Sequence, residues 1–206
     1  MIRLVFPEGD DARIREAAAF LEAEGLATTM LLTGVDDAPQ ARELIQDGDA
    51  DAIIGRSAIA EPNAATPENT LLILDRTAKN GRPEQILLAE FAALPHLDPE
   101  KLLNAQPRAI IFPGDAKTVD DLQKAHPLWL ISGTFHIADI DDINLIVTEN
   151  LAQQHALAAL FANFTTFRPL GPFSTAPILA ANISETDTTA DIIAATEFIA
   201  KIAKKS

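Results

Sequence analysis

Cysteine is absent from all 206 residues. That absence removes thiolate nucleophiles, cysteine–metal sites and disulfides together, and it fits a reducing cytoplasm. Cations are scarce as well: Lys and Arg number 16 against 30 Asp and Glu, for a net charge of −14. Nucleic acid is therefore not an expected partner, because phosphate backbones are drawn to basic patches. The lysines between 201 and 205 do not change this, since cations suit the last turn of a helix. Long apolar runs are missing too. Ile2–Phe6 is too short for a signal peptide, and no stretch approaches the length of a membrane span. The phosphate-cradling G-x-x-x-x-G-K-[ST], the dinucleotide G-x-G-x-x-G and the nucleophile elbow G-x-S-x-G do not occur. His96, His126, His136 and His155 are scattered without metal-like spacing. His136 with Asp139, Asp141 and Asp142 is the one carboxylate-rich grouping that could hold a hard cation. In so acidic a chain it reads as a solvated turn, so no metal is expected.

What is present is an alternation of strand and helix. A chain of this length forms one domain, or one domain with an elaboration, and buries roughly 70% of its unfolded surface without a metal or disulfide. Ile2–Phe6 reads as a buried strand. Asp10–Gly25 follows as a helix with Ile14, Ala17, Ala18 and Leu21 on one face, stopped by Gly25. Strands are expected at Thr29–Thr33, Asp51–Gly55, Ile86–Leu88, Ala109–Phe112, Leu128–Ser132 and Asn144–Val147. Helices are expected at Gln40–Gln46, Val119–Lys124, Glu149–Phe161 and Ala190–Lys204. Thr66-Pro67-Glu68 carries the chemistry of a helix start, with an N-cap threonine and proline at the first helical position, and predicts a helix to about Lys79. Such alternation predicts an α/β fold with a mostly parallel sheet and helices on both faces. The expected arrangement is a single α/β domain over 1–206, with a weak boundary near 107.

Two stretches resemble each other: Leu4–Asp10 and Ile110–Asp115 each end a strand in a proline turn and present an acidic residue to a following helix. This is the recurrent chemistry of a strand-to-helix turn. Thr188 and Asp191 have the Thr-x-x-Asp spacing of a capping box at the start of the last helix.

The segment Ile183-Ser184-Glu185-Thr186-Asp187-Thr188-Thr189-Ala190-Asp191-Ile192 resembles the site-forming segment of the phosphate acetyl/butyryl transferases, where a Leu-Ser-Arg-Gly run precedes an Asp-Ile pair. Other stretches are similar to that family in the same order along the chain. They are Leu4–Arg13, Met30–Gly34, Asp51–Gly55, Thr66–Ile73 as a Thr-capped helix, Ile143–Phe161, Pro172–Thr175, Pro177–Leu179 and Ile183–Ile202. The likeness covers the first and last thirds. It implies a shortened phosphotransacetylase / isocitrate-dehydrogenase-like architecture and acyl transfer between an acyl phosphate and coenzyme A. Asp191 would be the base on the thiol and Ser184 the stabiliser of the tetrahedral intermediate. Ser174 and Thr175 would contribute polar groups, and no cofactor would be permanently bound. Coenzyme A and the acyl phosphate would be the small-molecule partners, and the resemblance also implies a homodimer.

The chain departs from the pattern at one position: Glu185 stands where the family places its phosphate-binding arginine. An acyl phosphate needs cationic donors. Arg56 and Arg168 are the candidate replacements. Without one, transfer is expected to be inefficient, and the alternative is a non-catalytic relative that binds coenzyme A or another anion, or partners a full-length enzyme. The chain is also shorter than typical members, which predicts a reduced second wall to the cleft.

Overall fold

The computed structural model describes residues 1–34, 37–56, 58–59, 70–77, 83–112, 114–134, 137–175 and 177–203. The chain divides into two compact units, residues 1–65 with 171–206, and residues 66–170. Position 107 lies inside the second.

In the first unit, β1 (Ile2–Phe6), β2 (Ala27–Leu31), β3 (Ala52–Gly55) and β10 (Ala180–Asn182) lie in the order β2-β1-β3-β10, with every neighbouring pair parallel. β9 (Arg168–Ser174) carries the chain in from the second unit and runs antiparallel to β10, with Phe173 opposite Ala181 and Ser174 opposite Ala180. Helices α1 (Ala12–Ala23), α2 (Asp37–Gln46) and α6 (Thr189–Ala203) cover the sheet. The spacing of Ile14, Ala17, Ala18 and Leu21 gives α1 one apolar face, and all four are buried. Gly25, at φ +65°, takes the left-handed conformation that ends the helix, which a Cβ would strain.

In the second unit the order is β4-β5-β8-β6-β7. β4 (Thr70–Thr77) and β5 (Pro83–Glu90) pair antiparallel, whereas β8 (Leu145–Thr148), β6 (Arg108–Phe112) and β7 (Leu130–Ser132) join in parallel. Helices α3 (Pro99–Leu103), α4 (Ala116–Ala125) and α5 (Leu151–Phe164) complete it, with 3-10 segments at Phe91–His96 and Ile137–Asp142. No helix among the described residues is long and apolar enough to cross a membrane.

One expectation is corrected here. The helix predicted from Thr66 to Lys79 is a strand over Thr70–Thr77; Thr66–Glu68 lie outside the described residues. Residues 71–74 are buried without alternation and pair with β5 from Leu71↔Ala89 onward. A run buried on both faces has no period that separates strand from helix, and tertiary pairing overrides the local start signal. Residues 66–170 form a unit with its own five-stranded order.

Candidate anion site at the strand ends of the first unit

Parallel strands bring their carboxyl ends to one edge, where open α/β sheets bind ligands. In the first unit that edge carries the turn after β1, the residue after β3 and the loop after β10. Register sets their level: Val5 pairs with Ile53, and Asn182 with Gly55. The turn after β1 closes against β3. Glu8 Oε1 accepts from the Arg56 backbone N–H at 2.9 Å. A Cβ at Gly55 would fall 2.6 Å from Glu8 Oε2 and 3.0 Å from Pro7 Cδ, so a side chain here would displace the Glu8 carboxylate and crowd Pro7.

Asp11 at the end of that turn and Arg13 in the first turn of α1 organise the edge. Asp11, not Asp10, caps α1, accepting from the Arg13 N–H at 2.9 Å. Its Oδ2 also receives the guanidinium of Arg13 at 2.6 Å and that of Arg56 at 2.9 Å. The side chain is 11% exposed. Hydrogen bonding from Arg13, against the opposing effect of burial and with help from Arg56, holds its carboxyl well below the usual carboxylate range. Asp11 in turn raises the pKa of Arg13, with Asp187 and Glu185 adding to the effect.

Arg13 reaches the loop after β10 from beneath. Its Nη1 donates to the carbonyls of Glu185 at 2.7 Å, Asp187 at 2.6 Å and Ser184 at 3.4 Å. The loop is tightened from within. Ser184 Oγ donates to Asp187 Oδ1 at 2.8 Å, and the Ser184 N–H to Asp187 Oδ2 at 2.8 Å. The helix that follows begins on the expected capping box: Asp191 Oδ2 accepts from the Thr188 N–H at 2.8 Å and from its hydroxyl at 2.6 Å, while the Asp191 N–H donates back to Thr188 Oγ1 at 3.3 Å. Asp191 is 7% exposed.

The predicted site residues are thus distributed unevenly. Ser184, Glu185 and Asp191 lie on one loop and helix start, and Arg56 joins them, with Nη1 3.6 Å from Glu185 Oε1. Glu185 is turned to solvent, its side chain 84% exposed. Ser174 stands opposite Ala180, four residues before Ser184. At about 3.3 Å per extended residue that is on the order of 13 Å away. Ser174 instead borders a cavity of about 60 Å³ with Arg42, Ala58 and Ile178. Thr175 lines a larger groove with Met1, Leu26 and Asp51, at the amino ends of the strands. Arg168 belongs to the second unit, where its Nη2 lies 4.0 Å from Asp75 Oδ2. Arg76 sits on β4 with its guanidinium over Phe167 and paired with Glu84 and Asp141. Among the described residues no group of carboxylates and histidines could hold a metal; Asp141 and Asp142 are paired with Arg76 and Arg108, and His136 lies outside the described residues.

Arg13 and Asp11 were not identified as site residues by sequence reasoning. Their run, Gly9-Asp10-Asp11-Ala12-Arg13, was part of the resemblance, but no local pattern connects Arg13 to carbonyls more than 170 positions away.

No family model matches the chain, and no curated protein matches it by sequence. Solved structures do match by fold. A phosphotransacetylase from Streptococcus pyogenes aligns over 100% of this chain and 94% of its own, with a TM-score of 0.71 at 15% identity. The EutD phosphotransacetylase from Staphylococcus aureus aligns over 98% of this chain and 94% of its own, with a TM-score of 0.65 at 14% identity. A branched-chain phosphotransacylase from Enterococcus faecalis gives a TM-score of 0.64 at 11% identity, over 98% of this chain and 99% of its own. The fold is that of the phosphotransacetylases.

Proposed function

We propose that this chain is a slow phosphate acyltransferase, moving an acyl group between an acyl phosphate and coenzyme A. The observation that carries the reading is the meeting of Arg56 and Arg13 with the Ser184–Asp187 loop. It supplies the cations that the Glu185 departure otherwise removes. Arg56 is the phosphate-holding group, because its side chain is 41% exposed whereas that of Arg13 is 26% exposed and spent on carbonyls and Asp11. A guanidinium can grip a phosphate with two parallel N–H donors.

In the forward step, Asp191 takes the proton of the coenzyme A thiol, whose ordinary pKa near 8.5 requires a base at neutral pH. The thiolate sulfur forms a bond to the acyl carbon, and the carbon–oxygen bond to phosphate breaks with its electron pair leaving on phosphate. The Ser184 hydroxyl turns from Asp187 to hydrogen-bond the tetrahedral oxyanion. No permanently bound cofactor enters this scheme. A cytoplasmic setting and a homodimer accompany it as part of the same reading.

A charge count favours a second reading, a non-catalytic relative that partners a full-length enzyme rather than binding an anion at this edge. Around the two guanidiniums stand three carboxylates, Asp11, Glu185 and Asp187. The edge is therefore net negative before any anionic substrate arrives.

Arg56→Gln separates phosphate holding from folding. Inorganic phosphate binding, followed by calorimetry, should weaken about tenfold or more on loss of one charged hydrogen-bond donor. The melting temperature should move by only a few degrees, since Arg13 still serves Asp11. Unchanged phosphate affinity would remove Arg56 from the proposed role.

A further inference from the structure

The interior between the second unit's sheet and α5 is apolar over most of its height. Leu72, Leu88 and Ile146 from the strands meet Leu157, Ala158 and Phe161 from the helix. At the carboxyl ends of β5 and β8 this layer turns polar. Glu90 pairs in register with Thr148, and the pairing of Leu71 with Ala89 brings Thr70 to the same level. Side chains two residues apart on a strand share a face. Thr70, Glu90 and Thr148 therefore extend the rows of Leu72, Leu88 and Ile146 on the side covered by α5. Gln154 is the first-turn member of the helix stripe that continues through Leu157, Ala158 and Phe161. All four polar residues are 1% exposed or less.

Among the described residues, both carboxyl oxygens of Glu90 and both carboxamide atoms of Gln154 are buried without a hydrogen-bond partner. Leaving four such atoms orphaned would cost a sum comparable with the whole stability of a domain. Buried polar groups are satisfied in native proteins, by ordered water where no side chain reaches them. Burial raises the pKa of Glu90, and no neighbouring charge contributes to that rise. A protonated carboxyl offers a donor and acceptors, and a carboxamide offers two donors and an acceptor. Such a set suits a neutral guest with both kinds of group. With side chains this enclosed, the guest must be small.

We propose that Glu90 and Gln154 hold an ordered internal water between the end of β5 and the first turn of α5. It completes the hydrogen bonding of a polar floor at the strand-end edge of the second unit. The site is independent of the acyl-transfer reading, which concerns the first unit.

A high-resolution crystal structure of the full chain tests this directly. The expected result is a density peak about 2.7–3.2 Å from both the Glu90 carboxyl and the Gln154 carboxamide. A direct Glu90–Gln154 hydrogen bond with no peak between them would overturn the proposal. So would an ion held at about 2.3–2.6 Å by their oxygens. Glu90→Gln provides a second check in solution. It keeps the shape and the hydrogen bonding of a neutral carboxyl, so its melting temperature at pH 7 should equal or exceed that of the parent. The sign follows from linkage. A carboxyl whose folded pKa is raised gives a folded state that becomes relatively less stable as pH climbs above the unfolded value near 4.3, and glutamine removes that loss. A melting temperature lower by about 5 °C at pH 7 would mean that the ionised carboxylate is used, against the proposal.

Discussion

Exchanging Glu185 for arginine is expected to raise acyl-phosphate-dependent transfer to coenzyme A by about two to three powers of ten, and Glu185→Gln by about tenfold. Two effects add in the first variant and one acts in the second. A carboxylate about 4 Å from a unit negative charge costs roughly 1 kcal/mol in bulk water and roughly 4 kcal/mol at the effective dielectric of a protein surface. Glu185 is 84% exposed and lies 3.6 Å from Arg56, so its repulsion of a substrate sits toward the lower figure. Removing it is worth on the order of 1.4 kcal/mol, which is the tenfold gain. Arginine in its place adds a charged hydrogen bond of about 1.5–3 kcal/mol. The exposure of Glu185 also means that the sequence alone overstates the handicap: a side chain in solvent, beside a guanidinium, obstructs less than one aimed into a closed pocket. Steady-state rates with acetyl phosphate, compared at equal enzyme concentration, measure both gains. Equal rates in parent and both variants would mean that Glu185 does not face the phosphate.

Arg13→Met should lower stability by about 3 kcal/mol, or about 6–12 °C in melting temperature for a chain of this size. The guanidinium serves Asp11 and three carbonyls at once. Its loss leaves Asp11, 11% exposed, with Arg56 as its remaining guanidinium partner. Breaking a largely buried pair by removing one partner is costly because a charge stays behind, and Asp11 limits that cost by keeping Arg56. The acid limb should change as well. Asp11 has a folded pKa below its unfolded one, so its contribution is present above about pH 4 and is lost as pH falls below it. Hydrogen bonding from Arg13 is the largest cause of that depression; without it, stability should decline less steeply below pH 4. Arg13→Lys keeps the charge but not the fork, and should fall between parent and methionine. A melting temperature of Arg13→Met within 2 °C or so of the parent would show that Arg13 does not hold the loop.

The parts of this protein that were legible in its sequence are the parts whose causes are local. The capping box is written in Thr188 and Asp191 and formed as spaced. The buried stripe of α1 follows from its 3.6-residue period. β4 was misread because Thr66-Pro67-Glu68 speaks for a helix while the pairing of Leu71 with Ala89 lies in another part of the chain. β9 carries Pro169, Gly171 and Pro172, residues that argue against a strand, and it forms beside β10.

The candidate site divides the same way. Ser184, Glu185 and Asp191 share one segment and were found from it. Asp11 and Arg13 are local partners two positions apart, but Arg56 and the loop carbonyls join them across 45 to 174 positions, which no spacing encodes. Ser174 and Thr175 entered through the resemblance alone, and the antiparallel β9 brings Ser174 opposite Ala180, at the start of β10.

The central claim is that the Ser184–Asp191 segment still performs acyl transfer. The most direct measurement is thioester formation from acetyl, propionyl and butyryl phosphate with coenzyme A, for the parent chain and Asp191→Asn. Asparagine can still accept from Thr188 and keep the capping box, so the variant should fold. Slow turnover in the parent with at least one donor, abolished in Asp191→Asn, is the result predicted. A well-folded parent with no turnover from any of the three donors, or turnover that Asp191→Asn leaves intact, would contradict it.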